Sequence, residues 1–91
     1  MMRRVHIIVH GQVQGVNFRS SIMKKAQALG VHGFVRNLPN SAVEVVAEGD
    51  TEKVEELIMF CRRGPSMAVV TEVIVEEERA KRDMQTFTVR Y

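Results

Sequence analysis

The sequence predicts a two-layer α+β sandwich of order βαββαβ, with a short extra strand at its end. Stretches in which apolar residues alternate with polar ones, the period of a strand, are interrupted twice by stretches in which apolar residues recur every three or four positions, the period of a helix. Glycine, proline and asparagine fall between these stretches, where turns and caps need them. Two β-α-β units in succession place both helices on one face of an antiparallel sheet.

Residues 5–10 form the first strand, with Val5, Ile7 and Val9 on one face and His6, Ile8 and His10 on the other. Residues 18–29 form the first helix, where Phe18, Ile22, Ala26 and Leu29 make one apolar stripe, Met23 broadens it, and Gly30 caps the end. Residues 31–37 and 42–48 make a hairpin around the turn at residues 38–41. Asp50 or Thr51 caps the second helix, whose buried stripe is Val54, Leu57, Ile58 and Cys61, and Gly64-Pro65 stops it. Residues 68–75, rich in β-branched side chains, form the fourth strand. Residues 76–83 read as a solvated charged loop, and residues 86–90 as a short last strand. The arrangement is the ferredoxin-like βαββαβ sandwich, two helices on one face of a four- to five-stranded antiparallel sheet.

Composition narrows the function. Ninety-one residues make one domain over positions 1–91. With 45% hydrophobic and 26% charged residues the chain is globular, and no apolar run is long enough for a membrane span or a signal peptide. One cysteine forms no internal disulfide, and no Cys/His cluster has metal-ligand spacing, so a cytoplasmic setting and neither metal nor cofactor are expected. A monomer is expected as well, though nothing in the residues themselves fixes the oligomeric state. The net charge of +2 is small, the basic residues are scattered and tryptophan is absent, so no nucleic-acid partner is expected. Cys61 lies in phase with Leu57 and Ile58, which reads as a packed apolar residue rather than a nucleophile. His10 ends the first strand with no acidic residue near it in sequence, and reads as an exposed histidine rather than a general base.

The remaining candidate is Gly11-Gln12-Val13-Gln14-Gly15-Val16-Asn17-Phe18-Arg19, where a strand hands over to a helix. Two glycines let the backbone turn its N–H groups one way, the helix N-terminus adds unpaired N–H groups, and Arg19 adds a planar fork of donors. Such a cradle suits a dianionic phosphoryl group. A plain glycine-containing turn with a solvated arginine accounts for the same residues equally well. Strand order adds a second residue. In the predicted topology the first two strands run parallel with the third between them, so their far ends share one edge. If Val31 and Val35 face the helices, Asn37 faces the N-terminus of the first helix, two strand spacings or about 10 Å from the loop. Asn37 reads equally as the residue that opens the following turn through its own side chain.

Here the residues resemble the acylphosphatase family. Its first motif, Gly-x-Val-Gln-Gly-Val-x-Phe/Tyr-Arg, stands at residues 11–19, and its second, Gly-aromatic-Val-x-Asn followed by Gly-x-Val and a later Gly, at Gly33-Phe34-Val35-Arg36-Asn37 with Ser41, Val43 and Gly49. Residues 26–31 and Gly64-Pro65 are also similar to the family. The resemblance implies metal-independent hydrolysis of acyl phosphates to carboxylate and inorganic phosphate. It implies Arg19 as the phosphate-binding arginine, Asn37 as the residue that positions water, and the amides of Gln14, Gly15, Val16, Asn17 and Phe18 as the phosphate cradle. Gln12 replaces a commonly basic residue and Asn17 a commonly small glycine. Ser41 stands where the family usually has glycine; if that position needs positive φ, serine costs on the order of 1 kcal/mol, unless Asn40 takes the left-handed position instead. A non-catalytic anion-binding module, an RNA-binding ferredoxin-like domain and a module of a larger carbamoyl-phosphate enzyme are the alternatives.

Overall fold

The computed structural model describes residues 1–91. Its elements are β1 (Met2–Gln12), α1 (Phe18–Leu29), β2 (His32–Asn37), β3 (Val43–Asp50), α2 (Thr51–Arg63), β4 (Val69–Glu78) and β5 (Phe87–Arg90). The sheet has five strands in the order β4-β1-β3-β2-β5, with α1 over β2 and β5 and α2 over β1, β3 and β4. Both helices cover the face carrying Val5, Ile7, Val9, Val35, Val43, Val45 and Ala47, all sealed from solvent. The α2 stripe of Val54, Leu57, Ile58 and Cys61 is buried as its spacing predicts, and so are Phe18, Ile22 and Ala26 of α1. Phe18 is almost wholly buried. A phenylalanine so placed contributes about 1.5–3 kcal/mol and ties the N-terminus of α1 to the sheet.

Three strands run longer than their sequence patterns. β1 continues through Gly11 and Gln12 by way of a bulge between His10 and Gly11. Gly11 sits at φ 130°, where a Cβ would lie 2.0 Å from the Val69 carbonyl oxygen, so only glycine lets β1 stay paired to β4 there. β3 runs on to Asp50, and the first turn of α2 is closed by the Met1 carbonyl, which accepts from both the Thr51 amide and its hydroxyl at 2.9 Å. Asp50 occupies the N-cap position but makes no capping side-chain bond.

The sheet is mixed, which corrects the antiparallel expectation. β5 pairs with β2 in parallel, while the other three pairings are antiparallel. The cause lies in the charged stretch. Residues 76–78 complete β4, and residues 79–86 cross the end of the sheet where β1 and β2 begin and β3 finishes. The stretch is anchored rather than merely solvated. The buried Glu48 carboxylate accepts the backbone amides of Lys81 and Arg82 at 3.1 Å and a guanidinium N–H of Arg4 at 3.1 Å. Arg4 in turn donates to Glu78 and Asp83, each at 3.0 Å. A chain that arrives at the end where β2 begins must run alongside β2 in the same direction.

Candidate active site

The loop between β1 and α1 makes two left-handed turns, at Gly15 (φ 75°) and Asn17 (φ 62°). These two residues let the chain turn from the end of β1 into the start of α1. The first intrahelical bond of α1 runs from the Ser21 amide to the Asn17 carbonyl at 3.0 Å, and no side chain caps the helix. None of the nine backbone hydrogen bonds outside helices and strands is donated by an amide of residues 14–20. This run of free donors at a positive helix end is what an anion seeks.

Gly15, Asn17, Phe18, Arg19 and Ser20 of this run line a cavity of about 290 Å³ together with Val13, Asn37, Val89 and Tyr91. Arg19 lies in the first turn of α1. One of its terminal N–H groups makes a long contact of 3.4 Å to the Arg90 carbonyl, and the Tyr91 ring lies over the guanidinium, 4.7 Å from its carbon to the ring centroid. No carboxylate pairs with Arg19, in contrast to Arg3 and Arg4, whose guanidinium groups are each held by acidic side chains. Its charge is therefore not neutralised within the protein.

Asn37 reaches the same cavity from the end of β2. The parity of that strand works as its pattern predicts: Val31 and Val35 are buried beneath the helices, and Asn37 is the next residue on that side. Gly33, at φ 147°, lets β2 lie close to β3, because a Cβ there would be 1.8 Å from the Val46 carbonyl oxygen. The Asn37 side-chain oxygen, Oδ1, is buried and has no hydrogen-bond partner in the protein. No protein group competes for this acceptor, and the residue that carries it borders the cavity.

The turn after Asn37 settles the geometry that sequence left open. Ser41 itself takes the left-handed conformation at φ 74°. Asn40 does not; its side-chain oxygen accepts from the Ala42 amide at 3.1 Å. The Gln14 side chain joins the loop to this turn, donating from Nε2 to the carbonyls of Leu38 and Ala42, both at 2.8 Å. Sequence reasoning counted Gln14 only for its backbone amide. It also missed Val89, the Arg90 carbonyl and Tyr91, because nothing in their own pattern says which edge of the sheet β5 joins.

The other titratable candidates lie elsewhere. His10 faces Glu72 across the β1–β4 pair and does not line the cavity. His6 Nε2 is 2.7 Å from a Glu44 oxygen, and Arg36 donates to the other oxygen of the same carboxylate. Burial pushes Glu44 up, but its hydrogen bonds to His6 and Arg36 outweigh that and hold it below the usual carboxylate value. Burial pushes the Cys61 thiol up to about 12, the environment of an inert packed cysteine. No helix is long and apolar enough to cross a membrane.

A family model described as Acylphosphatase matches residues 5–89. An acylphosphatase from Methylococcus capsulatus is 50% identical over 88 residues, covering 97% of this chain and 96% of its own. The crystal structure of acylphosphatase from Bacillus subtilis superposes with a TM-score of 0.94 at 31% identity, covering 100% of both chains. An acylphosphatase structure from Coxiella burnetii gives a TM-score of 0.92 at 39% identity, covering 98% of this chain and 93% of its own. Nearly the full length of the chain is thus shared with these relatives in sequence and in fold, and it belongs to the acylphosphatase family.

Proposed function

We propose that this acylphosphatase hydrolyses the carboxyl–phosphate bond of its acyl phosphate without a metal, by holding the phosphoryl group between Arg19 and the loop amides while Asn37 aims the attacking water. The observation that carries this reading is that Gly15, Asn17, Phe18, Arg19, Ser20 and Asn37 line one cavity, where the amides of residues 14–20 donate no turn or loop backbone bond, Arg19 has no carboxylate partner and Asn37 Oδ1 has no hydrogen-bond partner within the protein.

The chemistry asks for little more. Carboxylate is a good leaving group, so the acyl oxygen departs with the bonding electron pair and needs no acid to expel it. In-line attack forms the new P–O bond, and negative charge on the three equatorial oxygens must be steadied throughout. Backbone N–H groups and a planar guanidinium do this without reorganising, because their positions are fixed before substrate arrives. Asn37 Oδ1 accepts a hydrogen bond from water and so orients its lone pair toward phosphorus. An amide is no base near neutral pH, so the proton of the attacking water goes to a phosphoryl oxygen. Positioning and charge stabilisation are the two contributions required.

Hydrolysis of benzoyl phosphate in excess EDTA tests the reading, with wild type beside Arg19→Ala and Arg19→Lys. Full wild-type activity in EDTA is expected. Arg19→Lys should fail nearly as badly as Arg19→Ala, since a point charge cannot replace a fork of fixed donors. Activity lost to EDTA, or near-normal turnover by Arg19→Lys, would overturn it.

A further inference from the structure

We propose that the Gln14 side chain is a positioning residue for Asn37, joining the phosphate loop to the turn that sets the aim of the water-binding amide. The inference rests on the reading of Asn37 as the residue that orients water.

The connection runs through one atom. Gln14 Nε2 carries two hydrogens, and each has a carbonyl to meet, Leu38 and Ala42, both at 2.8 Å. The orientation of the amide is fixed by chemistry, because turning it over would set its own oxygen against two carbonyl oxygens. Each of these carbonyls also accepts one backbone bond from within the turn. The Ser41 amide donates to Leu38 at 3.2 Å, and the Leu38 amide donates to Ala42 at 2.8 Å. Gln14 thus takes the second acceptor site on both carbonyls and closes the turn from outside.

This turn needs an external hold. Ser41 stands at φ 74°, a conformation that an L-residue other than glycine adopts at a cost, so the turn is under local strain. Leu38 follows Asn37 directly, and Asn37 ends β2, so any shift of Leu38 re-aims the Asn37 side chain. Asn37 Oδ1 itself has no protein partner to hold it in place. Its direction is set by its backbone, and that backbone is pinned on the far side by Gln14. The same glutamine sits on the loop that would hold the phosphoryl group. One side chain therefore fixes the distance between the phosphate cradle and the water-orienting residue, the separation on which in-line attack depends.

A double-mutant cycle with benzoyl phosphate tests this, with inhibition by inorganic phosphate reporting the cradle. Gln14→Met keeps the length of the side chain and removes both hydrogen bonds. It should lower kcat by about 10- to 100-fold, the cost of misplacing a positioned group by an ångström or less, while the inhibition constant for phosphate stays within about threefold. Added to Asn37→Ala, it should cause little further loss, because the group it positions is already gone. Gln14→Glu gives a second readout if Gln14→Met folds poorly. Its carboxylate repels both carbonyls near neutral pH, but once protonated it donates to one of them, so kcat relative to wild type should rise as pH falls toward about 4–5. Additive losses in the cycle, phosphate binding weakened as much as kcat, or wild-type kcat with only a lowered Tm would overturn the role of Gln14. If Asn37→Ala loses turnover and Gln14→Met does not, only the Gln14 inference fails. If Asn37→Ala keeps wild-type turnover, the reading of Asn37 fails instead.

Discussion

Replacing Asn37 by alanine should abolish most turnover and leave the fold as stable as before, or more so. The orphaned Oδ1 is the reason. A buried carbonyl without a partner costs about 1–3 kcal/mol, and truncation removes it. The loss in return is small, because the side chain borders an open cavity and leaves no sealed void behind. A net gain of about 1 kcal/mol would raise Tm by roughly 4–8 °C in a domain of this size. The same change removes the acceptor that orients water, and kcat should fall by about 100-fold or more. Binding of inorganic phosphate, which the loop amides and Arg19 would hold, should change by less than about threefold. The measurements are benzoyl phosphate turnover, phosphate inhibition and a thermal melt on the same preparation. A Tm lowered by about 4 °C or more with turnover retained would refute the reasoning and make Asn37 a turn residue. Loss of phosphate binding alone would have the same meaning.

Three further outcomes follow from particular contacts. Ser41→Gly removes a Cβ from a left-handed position and should stabilise the chain by about 0.5–1 kcal/mol after the extra entropy of glycine is counted, read as a rise in urea midpoint at constant m-value. Cys61, its thiol pushed up to about 12 by burial, should resist a thiol reagent at pH 8 in the native protein and react at once in denaturant; rapid native labelling would contradict its place in the core. Glu44 is held below its ordinary value of 4.5 in the folded chain, against burial, by His6 and Arg36. The stability it contributes is in place above pH 4.5 and is lost as pH falls through its lower folded value. The acid limb of a Tm–pH profile should therefore be shallower for Glu44→Gln than for wild type.

The elements of the fold were legible because their signals are local. The α1 stripe, the α2 stripe and the alternation of β1 each follow from burying one face, and a helix or strand shows its buried face in its period. The glycine loop and Asn37 were legible too, since strand order and parity bring them to one edge whatever the side chains between. The parallel pairing of β5 was not. It depends on Glu48 holding the backbone of Lys81 and Arg82, a contact between residues more than thirty positions apart with no pattern in either segment. Charged residues 76–83 look the same whether they are solvated or anchored. The conformation of Ser41 was also undecided, because Asn40 and Ser41 both tolerate a turn and only the surrounding bonds choose between them.

By itself, then, the sequence determined the order of elements and the core, because hydrophobic period and glycine placement act over a few residues at a time. Only its resemblance to the acylphosphatase motifs singled out Arg19, Asn37 and the loop amides as the groups proposed to meet an acyl phosphate. The tertiary structure decided what those groups touch. It left the amides of residues 14–20 and Asn37 Oδ1 without partners, gave Gln14 two carbonyls to hold, and brought β5 to the rim beside Arg19. Hydrogen-bond satisfaction is a property of the packed whole, and no single segment of the chain carries it.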